Sequence, residues 1–174
     1  MSPNGRFVVL SCNKSGASQW RLFRTQSGQS LPVPRLRGGV VNRIAFSPDS
    51  KRIAISYSAS LSPENVFVFG AGLRRLKRWT STRLTELNSR KFVEPQSFTY
   101  PGFDETDKGR RRISGFLYRP PGRGPHPVVI YFHGGPAFQY RPRFNPMFQY
   151  WVNDLGIAVV APNVRGSSGY GKTF

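Results

Sequence analysis

Short apolar runs that alternate with turn residues fill the first half of the chain. The turn Ser2–Arg6 precedes the apolar run Phe7–Ser11, and the turn Ser47–Lys51 precedes the run Arg52–Ser56. Proline presets the backbone of such a turn, and Asn, Asp and Gly accept its remaining conformations. Because the runs have the composition and length of strands and no segment has helical periodicity, they predict an all-β region.

The two turns belong to an internal repeat. The shift from Ser2 to Ser47 is 45 residues, and the same shift carries Trp20–Phe23 onto Asn65–Val68. A repeat of about 40 to 45 residues that holds several strands is typical of a β-propeller blade. Two unrelated hairpins that both begin with Ser-Pro are the alternative. Residues 1–95 are therefore predicted to be all-β, as a partial propeller of about two blades.

The pattern changes after Pro95. The segments Gln96–Tyr100 and Arg112–Tyr118 alternate as the two strands of a hairpin do. The next segment, Pro127–Phe132, is a continuous apolar run, which is typical of a strand buried on both faces. A hairpin followed by a buried strand is therefore expected.

A helix is predicted after this buried strand. Residues 142–154 are long enough for one, with Phe144, Phe148 and Trp151 at spacings of four and three, and Gly156 stands at the position of a C-cap.

A second buried strand, Ile157–Ala161, follows the predicted helix. Hairpin, buried strand, helix and buried strand is the order in which a doubly wound α/β sheet begins. Residues 96–174 are therefore predicted to form a separate α/β unit.

Two glycines follow the first predicted buried strand, in the motif His133-Gly134-Gly135-Pro136. Glycines at the end of a strand let the backbone turn sharply and leave N–H groups in the crevice at the carboxyl end of the sheet. Such donors can stabilise the oxyanion of a tetrahedral intermediate. A loop that only changes the direction of the chain is the alternative.

A second glycine-rich loop, Asn163–Gly171, follows the second predicted strand. Its glycine spacing departs from G-x-G-x-x-G and from the phosphate-binding loop, which disfavours nucleotide binding. Ser168 is no nucleophile elbow, because Tyr170 stands where the G-x-S-x-G frame requires glycine.

Composition adds a strong positive charge. Among 174 residues, 26 Lys and Arg stand against 8 Asp and Glu, for a net charge of +18. Most of these charges are scattered singly, whereas a nucleic-acid binder more often groups them with stacking aromatics, so a solvated arginine-rich surface is favoured. A single cysteine, Cys12, excludes a disulfide framework.

The sequence contains neither a candidate membrane helix nor a recognisable N-terminal signal region. No apolar run has the length of a membrane helix, so no membrane partner is expected. The start Met1–Gly5 is a turn rather than a signal region, which favours the cytoplasm if Met1 is the true N-terminus.

Taken in order, the motifs resemble the prolyl oligopeptidase family of serine peptidases, and most closely its dipeptidyl-peptidase and acylaminoacyl-peptidase branches. The resemblance covers nearly the whole chain. It rests on the two turn repeats and on the segments Val93–Pro95, Phe98–Tyr100, Phe103–Asp104, Gly115–Pro120, His133–Pro136 and Asn163–Gly171.

The resemblance implies β-propeller blades followed by the N-terminal part of an α/β-hydrolase domain, with a peptide substrate held between propeller and peptidase domain. It implies a Ser nucleophile, an Asp and a His in that chain order, and neither a cofactor nor a metal.

The resemblance also implies roles for residues of the two glycine-rich loops. Gly134 and Gly135 match the glycines of the oxyanion loop. His133 stands where some branches have a Tyr that helps to bind the oxyanion, which makes it a candidate oxyanion neighbour. The rim of the active site is expected to include Arg165, Gly166 and Tyr170.

The catalytic residues themselves cannot be found in the chain. No serine has glycine at both −2 and +2, and the last histidine is His133, so the order Ser, Asp, His cannot be written. We therefore expect a fragment of a peptidase, the end of a propeller and the start of a hydrolase domain, that is inactive by itself. The alternatives are a fragment of a non-peptide esterase of the same fold and a non-catalytic basic β-rich module that binds polyanions.

Overall fold

The computed structural model describes residues 1–73, 75–84, 87–106, 109–135, 137–172 and 174. The chain divides into two compact units, Met1–Arg83 and Leu84–Phe174. This division differs from the boundary expected after Pro95. The reason is that Val93 is anchored in the second unit, where its N–H donates to Gln149 Oε1 and its carbonyl accepts from Gln149 Nε2, both at 2.9 Å.

The first unit is built from two antiparallel sheets. One has the order β1-β2-β3 and the other the order β4-β5-β6-β7, so each is a meander in which chain neighbours pair. The four-stranded meander is the arrangement of a propeller blade. The strands are β1 Phe7–Lys14, β2 Ala17–Arg24, β3 Ser30–Leu31, β4 Val40–Phe46, β5 Arg52–Ala59, β6 Ser62–Gly70 and β7 Lys77–Arg78.

The sequence repeat extends to individual hydrogen bonds. Ser2 Oγ accepts from the N–H of Phe7 at 2.9 Å, and Ser47 Oγ accepts from the N–H of Arg52 at 2.9 Å. The N–H groups of Ser2 and Ser47 donate to the carbonyls of Phe7 and Arg52 at 2.8 and 2.9 Å. Each of these bonds recurs at the 45-residue shift, which confirms that the two turns are equivalent.

Both sheets of the first unit contribute to one apolar core. The rings of Trp20 on β2 and Phe69 on β6 meet edge to face with their centroids 5.0 Å apart. The buried members of the cluster are Trp20, Leu22, Val41, Ile53, Ile55 and Phe69. Burial of these side chains stabilises the packing of one sheet on the other.

The second unit holds a mixed four-stranded sheet and one α-helix among its described residues. The sheet order is β10-β11-β9-β8, in which β10 and β11 are parallel and the other neighbours are antiparallel. The elements are a 3₁₀ turn Ser89–Lys91, β8 Gln96–Thr106, β9 Gly109–Tyr118, β10 Val128–Ile130, α1 Pro146–Asn153 and β11 Ala158–Asn163. The predicted hairpin is confirmed as β8 and β9.

The helix begins later than residue 142. Asn145 is its N-cap, with Oδ1 accepting from the N–H of Phe148 at 3.2 Å, and proline follows in the first turn. Phe144 therefore precedes the helix and packs against Phe92, with ring centroids 5.2 Å apart. The C-cap is Asp154 rather than Gly156, although Gly156 has a left-handed φ of +65° in the turn that follows.

An aromatic cluster joins the helix to the sheet. Tyr140 stacks on Phe148 with centroids 5.7 Å apart, and its hydroxyl lies 2.7 Å from that of Tyr118 on β9. Burial raises the pKa of Tyr118 to about 12 and also raises the pKa of Tyr140. Both hydroxyls therefore stay neutral at physiological pH and satisfy each other inside the core.

The first predicted buried strand, β10, is much more exposed than expected. β10 is the edge strand of the sheet, and Val128 and Ile130 are 57% and 58% exposed. Phe132, two residues further, is 63% exposed. The prediction of burial on both faces is wrong for this strand, because no described element covers these alternate side chains. The second strand, β11, lies inside the sheet and is largely buried, as predicted.

Candidate functional site

Two loops leave the same edge of the second unit's sheet. The β10 loop, residues 131–141, follows β10, and the β11 loop, residues 164–172, follows β11. Because β10 and β11 are parallel neighbours, their carboxyl ends lie side by side, which is the usual location of ligand sites in α/β sheets.

Asn163, the last residue of β11, ties the two loops together. It is completely buried, and its Oδ1 accepts from the N–H of Tyr140 at 2.6 Å. Its Nδ2 donates to the carbonyl of Tyr140 at 3.1 Å and to the hydroxyl of Tyr170 at 2.8 Å. The amide therefore satisfies a turn of the β10 loop as a neighbouring strand would, and it also positions the β11 loop.

A second link joins His133 to Ser167. His133 Nε2 lies 2.7 Å from Ser167 Oγ, and Ser167 Oγ lies 2.6 Å from the carbonyl of Val164. A carbonyl can only accept, so the single hydroxyl hydrogen of Ser167 points to Val164 and the hydrogen between His133 and Ser167 belongs to Nε2.

This arrangement bears on nucleophilic catalysis. A serine is activated when it donates its proton to the histidine, but here the histidine donates to Ser167. Ser167 is also only 3% exposed. The pair therefore links two loops and does not form an activated nucleophile.

The two glycines of the β10 loop are exposed and adopt different conformations. Gly135 has a φ of +55°, and its carbonyl accepts from the N–H of Phe138 at 2.6 Å in a tight turn. Neither Gly134 nor Gly135 donates its N–H to a residue in the part of the chain that the structure describes. Both donors are therefore free to meet a ligand. The fourth member of the predicted motif, Pro136, lies outside the described residues.

The β11 loop also contacts the β10 loop through its backbone. The N–H of Ser168 is shared by the carbonyls of Ala137 and Phe138, each at 3.1 Å. This shared bond and the side-chain links hold the two loops in one arrangement. Preformed loops of this kind suit a site that must present backbone donors in a defined geometry.

The residues expected at the rim are held by partners that the sequence pattern did not indicate. Arg165 Nη1 lies 3.0 Å from Asp104 Oδ2 on β8, and the same oxygen lies 2.8 Å from Arg111 Nε on β9. The guanidinium of Arg165 lies over the ring of Phe103, 4.9 Å from its centroid. The hydrogen bond from Arg111, followed by that from Arg165, holds the pKa of Asp104 below its ordinary value.

Gly166 and Tyr170 both contact the last residue of the chain. The N–H of Gly166 donates to the carbonyl of Phe174 at 3.0 Å, and the ring of Tyr170 stacks on that of Phe174 with centroids 4.6 Å apart. The three residues expected at the rim therefore lie on one loop, and each has a defined partner.

Sequence reasoning missed Asn163 and Ser167 as the links between the loops. The available signal was a polar residue at the end of an apolar strand, followed by serine in a glycine-rich loop. Within the described residues, no group of three or more His, Cys, Asp and Glu side chains could hold a metal ion. No described helix is long and apolar enough to cross a membrane.

Comparison with known proteins identifies peptidases that are similar to this chain. No family model matches the chain. The chain is 30% identical over 152 residues to the uncharacterized peptidase YuxL of Bacillus subtilis, covering 84% of this chain and 22% of that protein. It is 25% identical over 157 residues to dipeptidyl peptidase family member 6 of Caenorhabditis elegans, covering 77% of this chain and 20% of that protein.

The fold is shared with solved peptidases. Prolyl oligopeptidase B of Galerina marginata, whose structure contains a 25-residue macrocyclization substrate, matches with a TM-score of 0.76 and 20% identity. The match covers 98% of this chain and 24% of that structure. The chain therefore shares the fold of about a quarter of that structure.

The chain is related to the prolyl oligopeptidase family of peptidases, as its motifs indicated. It spans about a fifth of the length of the curated relatives that it matches.

Proposed function

We propose that the chain is part of a serine peptidase of the prolyl oligopeptidase family, and that it supplies the oxyanion loop of that enzyme. In this proposal residues 96–174 are the N-terminal part of an α/β-hydrolase domain, preceded by about two propeller blades. The substrate is a short peptide, and hydrolysis proceeds through an acyl-enzyme.

The observation that carries the proposal is the pair of N–H groups at Gly134 and Gly135, which have no partner among the residues that the structure describes. They lie in an exposed turn that is held against the β11 loop by Asn163 and by the His133–Ser167 bond. Preorganised donors need no reorganisation as negative charge develops on the substrate oxygen. Loss of one such donor typically costs about 2.7–4 kcal/mol of transition-state stabilisation.

His133 is proposed to orient the loop rather than to bind the oxyanion itself. Its Nε2 hydrogen is used by Ser167, and a ring that carries its one hydrogen on Nε2 has only a lone pair at Nδ1, which cannot donate to an oxyanion. A backbone donor is therefore the better candidate for the oxyanion contact. Arg165, Gly166 and Tyr170 are proposed to line the rim through the contacts described above.

The comparisons support a peptide as the substrate. The relatives are peptidases by name, and the Galerina marginata structure is described as bound to a 25-residue substrate. Neither a cofactor nor a metal is part of the proposed reaction, because acyl transfer by serine needs only a nucleophile, a base and oxyanion donors.

The chain alone is proposed to be inactive. Ser167 is buried and accepts a hydrogen bond from His133, and Ser168 lacks the G-x-S-x-G frame. An oxyanion loop without an activated nucleophile leaves only a small residual rate enhancement.

The test is labelling of the 174-residue chain with a fluorophosphonate, together with hydrolysis of an aminoacyl ester. An active serine hydrolase serves as the positive control, and Ser167→Ala and Ser168→Ala identify any labelled residue. We expect neither labelling nor turnover. Stoichiometric labelling of Ser167 or Ser168 would overturn the assignment of catalysis to residues outside this chain.

A substrate comparison separates the proposal from an esterase of the same fold. In the enzyme that carries this chain, peptide amides and alkyl esters with the same acyl group are compared by kcat/KM. A peptidase hydrolyses both. Hydrolysis of the esters alone would favour the esterase.

A further inference from the structure

A cavity of about 530 Å³ lies in the first unit, on β2. Its walls are the strand segment Ser18–Arg21 and the connecting segment Val33–Arg37. Three of these residues are exposed arginines, Arg21, Arg35 and Arg37. We call this cavity the arginine groove.

The groove exists because β3 pairs with β2 over only two residues and the chain then moves away from β2. β3 pairs only with Leu22 and Phe23. The chain then continues through Pro32 and Pro34, which lack the N–H that a ladder needs. It returns to β2 at Gly39, whose carbonyl accepts from the N–H of Ser18 at 2.9 Å.

One register position of β2 is left open between these anchors. In an antiparallel strand, alternate residues direct their N–H and C=O to the same side. The N–H groups of Ser18 and Arg24 point away from β1, toward the side of the sheet where β3 lies, and donate to the carbonyls of Gly39 and Gln29. Trp20 is an even number of residues from both, so its backbone N–H and C=O point to the same side. Among the residues that the structure describes, the N–H of Trp20 has no partner there.

The segments that line the groove carry only positive charges. The first acidic residue of the chain is Asp49, so the whole of β1 to β4 carries no carboxylate. Within the described residues, both ion pairs involve Asp104 of the second unit, and the groove arginines take part in neither. The hydroxyl of Tyr57 lies 2.8 Å from the carbonyl of Arg37 and 2.7 Å from that of Gly38 and donates to this pair, which holds this wall in place.

We propose that the arginine groove binds an extended acidic peptide segment, which adds a strand to β2 beside Trp20. The peptide backbone would pair with the one open position of β2, at Trp20, and its carboxylates would pair with Arg21, Arg35 and Arg37. The proposal concerns residues of the first unit only and does not depend on the proposed peptidase function.

A peptide fits the groove better than a nucleic acid does. Single strands of nucleic acid bind through exposed aromatic rings on which bases stack. The only aromatic residue of the described groove lining is Trp20, which is 7% exposed and packs its ring against Phe69. The open position at Trp20, in contrast, offers the backbone polar groups of one strand residue, which match those of another peptide backbone.

The test uses fluorescence anisotropy with the 174-residue chain and a labelled eight-residue peptide that alternates Glu and Val. Two control peptides are used: one with Lys in place of Glu, and one that is N-methylated at alternate amides and cannot pair with a strand edge. We expect the Glu peptide to bind about tenfold or more tightly than either control. Its binding should weaken as salt rises.

Two double variants carry the same change of charge. Arg35→Gln with Arg37→Gln alters the groove, whereas Arg6→Gln with Arg43→Gln removes two exposed arginines of the same unit that do not line it. Circular dichroism checks that both variants keep their sheet content. We expect about a tenfold loss of affinity in the groove variant and less than about a twofold loss in the control.

Three results would overturn the proposal. They are absence of binding by the Glu peptide, equal losses in the two double variants, and equal binding of the N-methylated peptide. Tighter binding of a single-stranded RNA oligonucleotide, with displacement of the Glu peptide, would also overturn it and would assign the charge to nucleic acid.

Discussion

Gly134 and Gly135 are neighbours with different conformational requirements. A Cβ added at Gly135 would lie 2.7 Å from the ring of Phe138, and the residue has a φ of +55°. A Cβ at Gly134 would meet nothing within 4 Å. The second glycine is therefore required by the turn, and the first is not.

This difference predicts the effect of alanine at each position. Gly135→Ala should lower the free energy of unfolding by about 1–3 kcal/mol, because a left-handed backbone and a close contact are both imposed on alanine. Gly134→Ala is the matched control and should change it by less than about 0.5 kcal/mol. Urea unfolding of both variants measures the difference. Equal stability of the two variants would contradict the geometry of the turn.

The lowered pKa of Asp104 predicts that the free energy of unfolding depends on pH in the acid range. Its pKa is lowered in the folded state by the bond from Arg111 and then by that from Arg165, so the unfolded state binds the proton more tightly. The stabilisation is therefore present above the ordinary value of 3.8 and is lost as the pH falls through the lowered folded value.

The corresponding experiment compares the unfolding of the natural chain with that of Asp104→Asn across acid pH. The natural chain should be the more stable at neutral pH, and the difference should shrink below pH 3.8, the ordinary pKa of the group. A difference that is constant down to pH 2 would show that the charge of the Asp104 carboxylate does not cause it.

At the scale of elements, the two repeated turns, Ser2–Arg6 and Ser47–Lys51, place different residues at a position with a left-handed backbone. Gly5 has a φ of +71°, and Ser50, at the equivalent position, has a φ of +60°. Serine is strained there, since only glycine adopts this region freely. Ser50 is also buried, and its Oγ accepts from the N–H of Asn4 at 3.2 Å, which compensates for part of the strain.

Two substitutions at Ser50 separate these effects. Ser50→Ala loses the bond and keeps the strain, so it should lower the free energy of unfolding by about 1 kcal/mol. Ser50→Gly loses the bond and relieves the strain, so its effect should lie within about 0.5 kcal/mol of zero. Thermal melts of the two variants provide the measurement. If Ser50→Gly is less stable than Ser50→Ala, relief of backbone strain at this position does not stabilise the turn and the prediction is wrong.

At the scale of the whole molecule, an apolar edge strand favours association between copies of the chain, and the net positive charge opposes it. β10 is an edge strand whose Val128 and Ile130 side chains are more than half exposed, and such edges template association. The net charge of +18 repels copies of the chain, but only over about 10 Å at 0.1 M salt.

Association of the chain should therefore increase with salt. Sedimentation velocity across a salt series should show larger species as the ionic strength rises, and Ile130→Lys should suppress them by placing a charge on the edge strand. Leu155→Lys, which adds the same charge at a 49% exposed residue outside the sheet, is the control. A monomer at every salt concentration would contradict the prediction.

Local patterns of the sequence were sufficient for much of the fold. The 45-residue repeat, the β8–β9 hairpin and the buried strand β11 follow from turn residues and alternation within a few positions. These features depend on φ and ψ preferences and on side-chain periodicity, which are encoded by neighbours in the chain. The exposed β10 strand shows the limit, because an apolar run states a preference for burial but not whether another element covers it.

The candidate site was predictable only in part. Sequence motifs identified Gly134 and Gly135 as a turn at the carboxyl end of a strand, because glycine at a strand end has a local meaning. They did not indicate that Asn163 would bond to Tyr140, or that Asp104 would hold Arg165. These partners are 23 and 61 residues apart in the chain.

The sequence by itself determined the order of strands and turns and the positions of the glycine-rich loops, since these depend on local backbone preferences. The tertiary structure alone decided the unit boundary, the partners of His133, Asn163 and Arg165, and the open position on β2. Each of these depends on contacts between segments that are distant in sequence, and one linear pattern of apolar and polar residues is compatible with many such contacts.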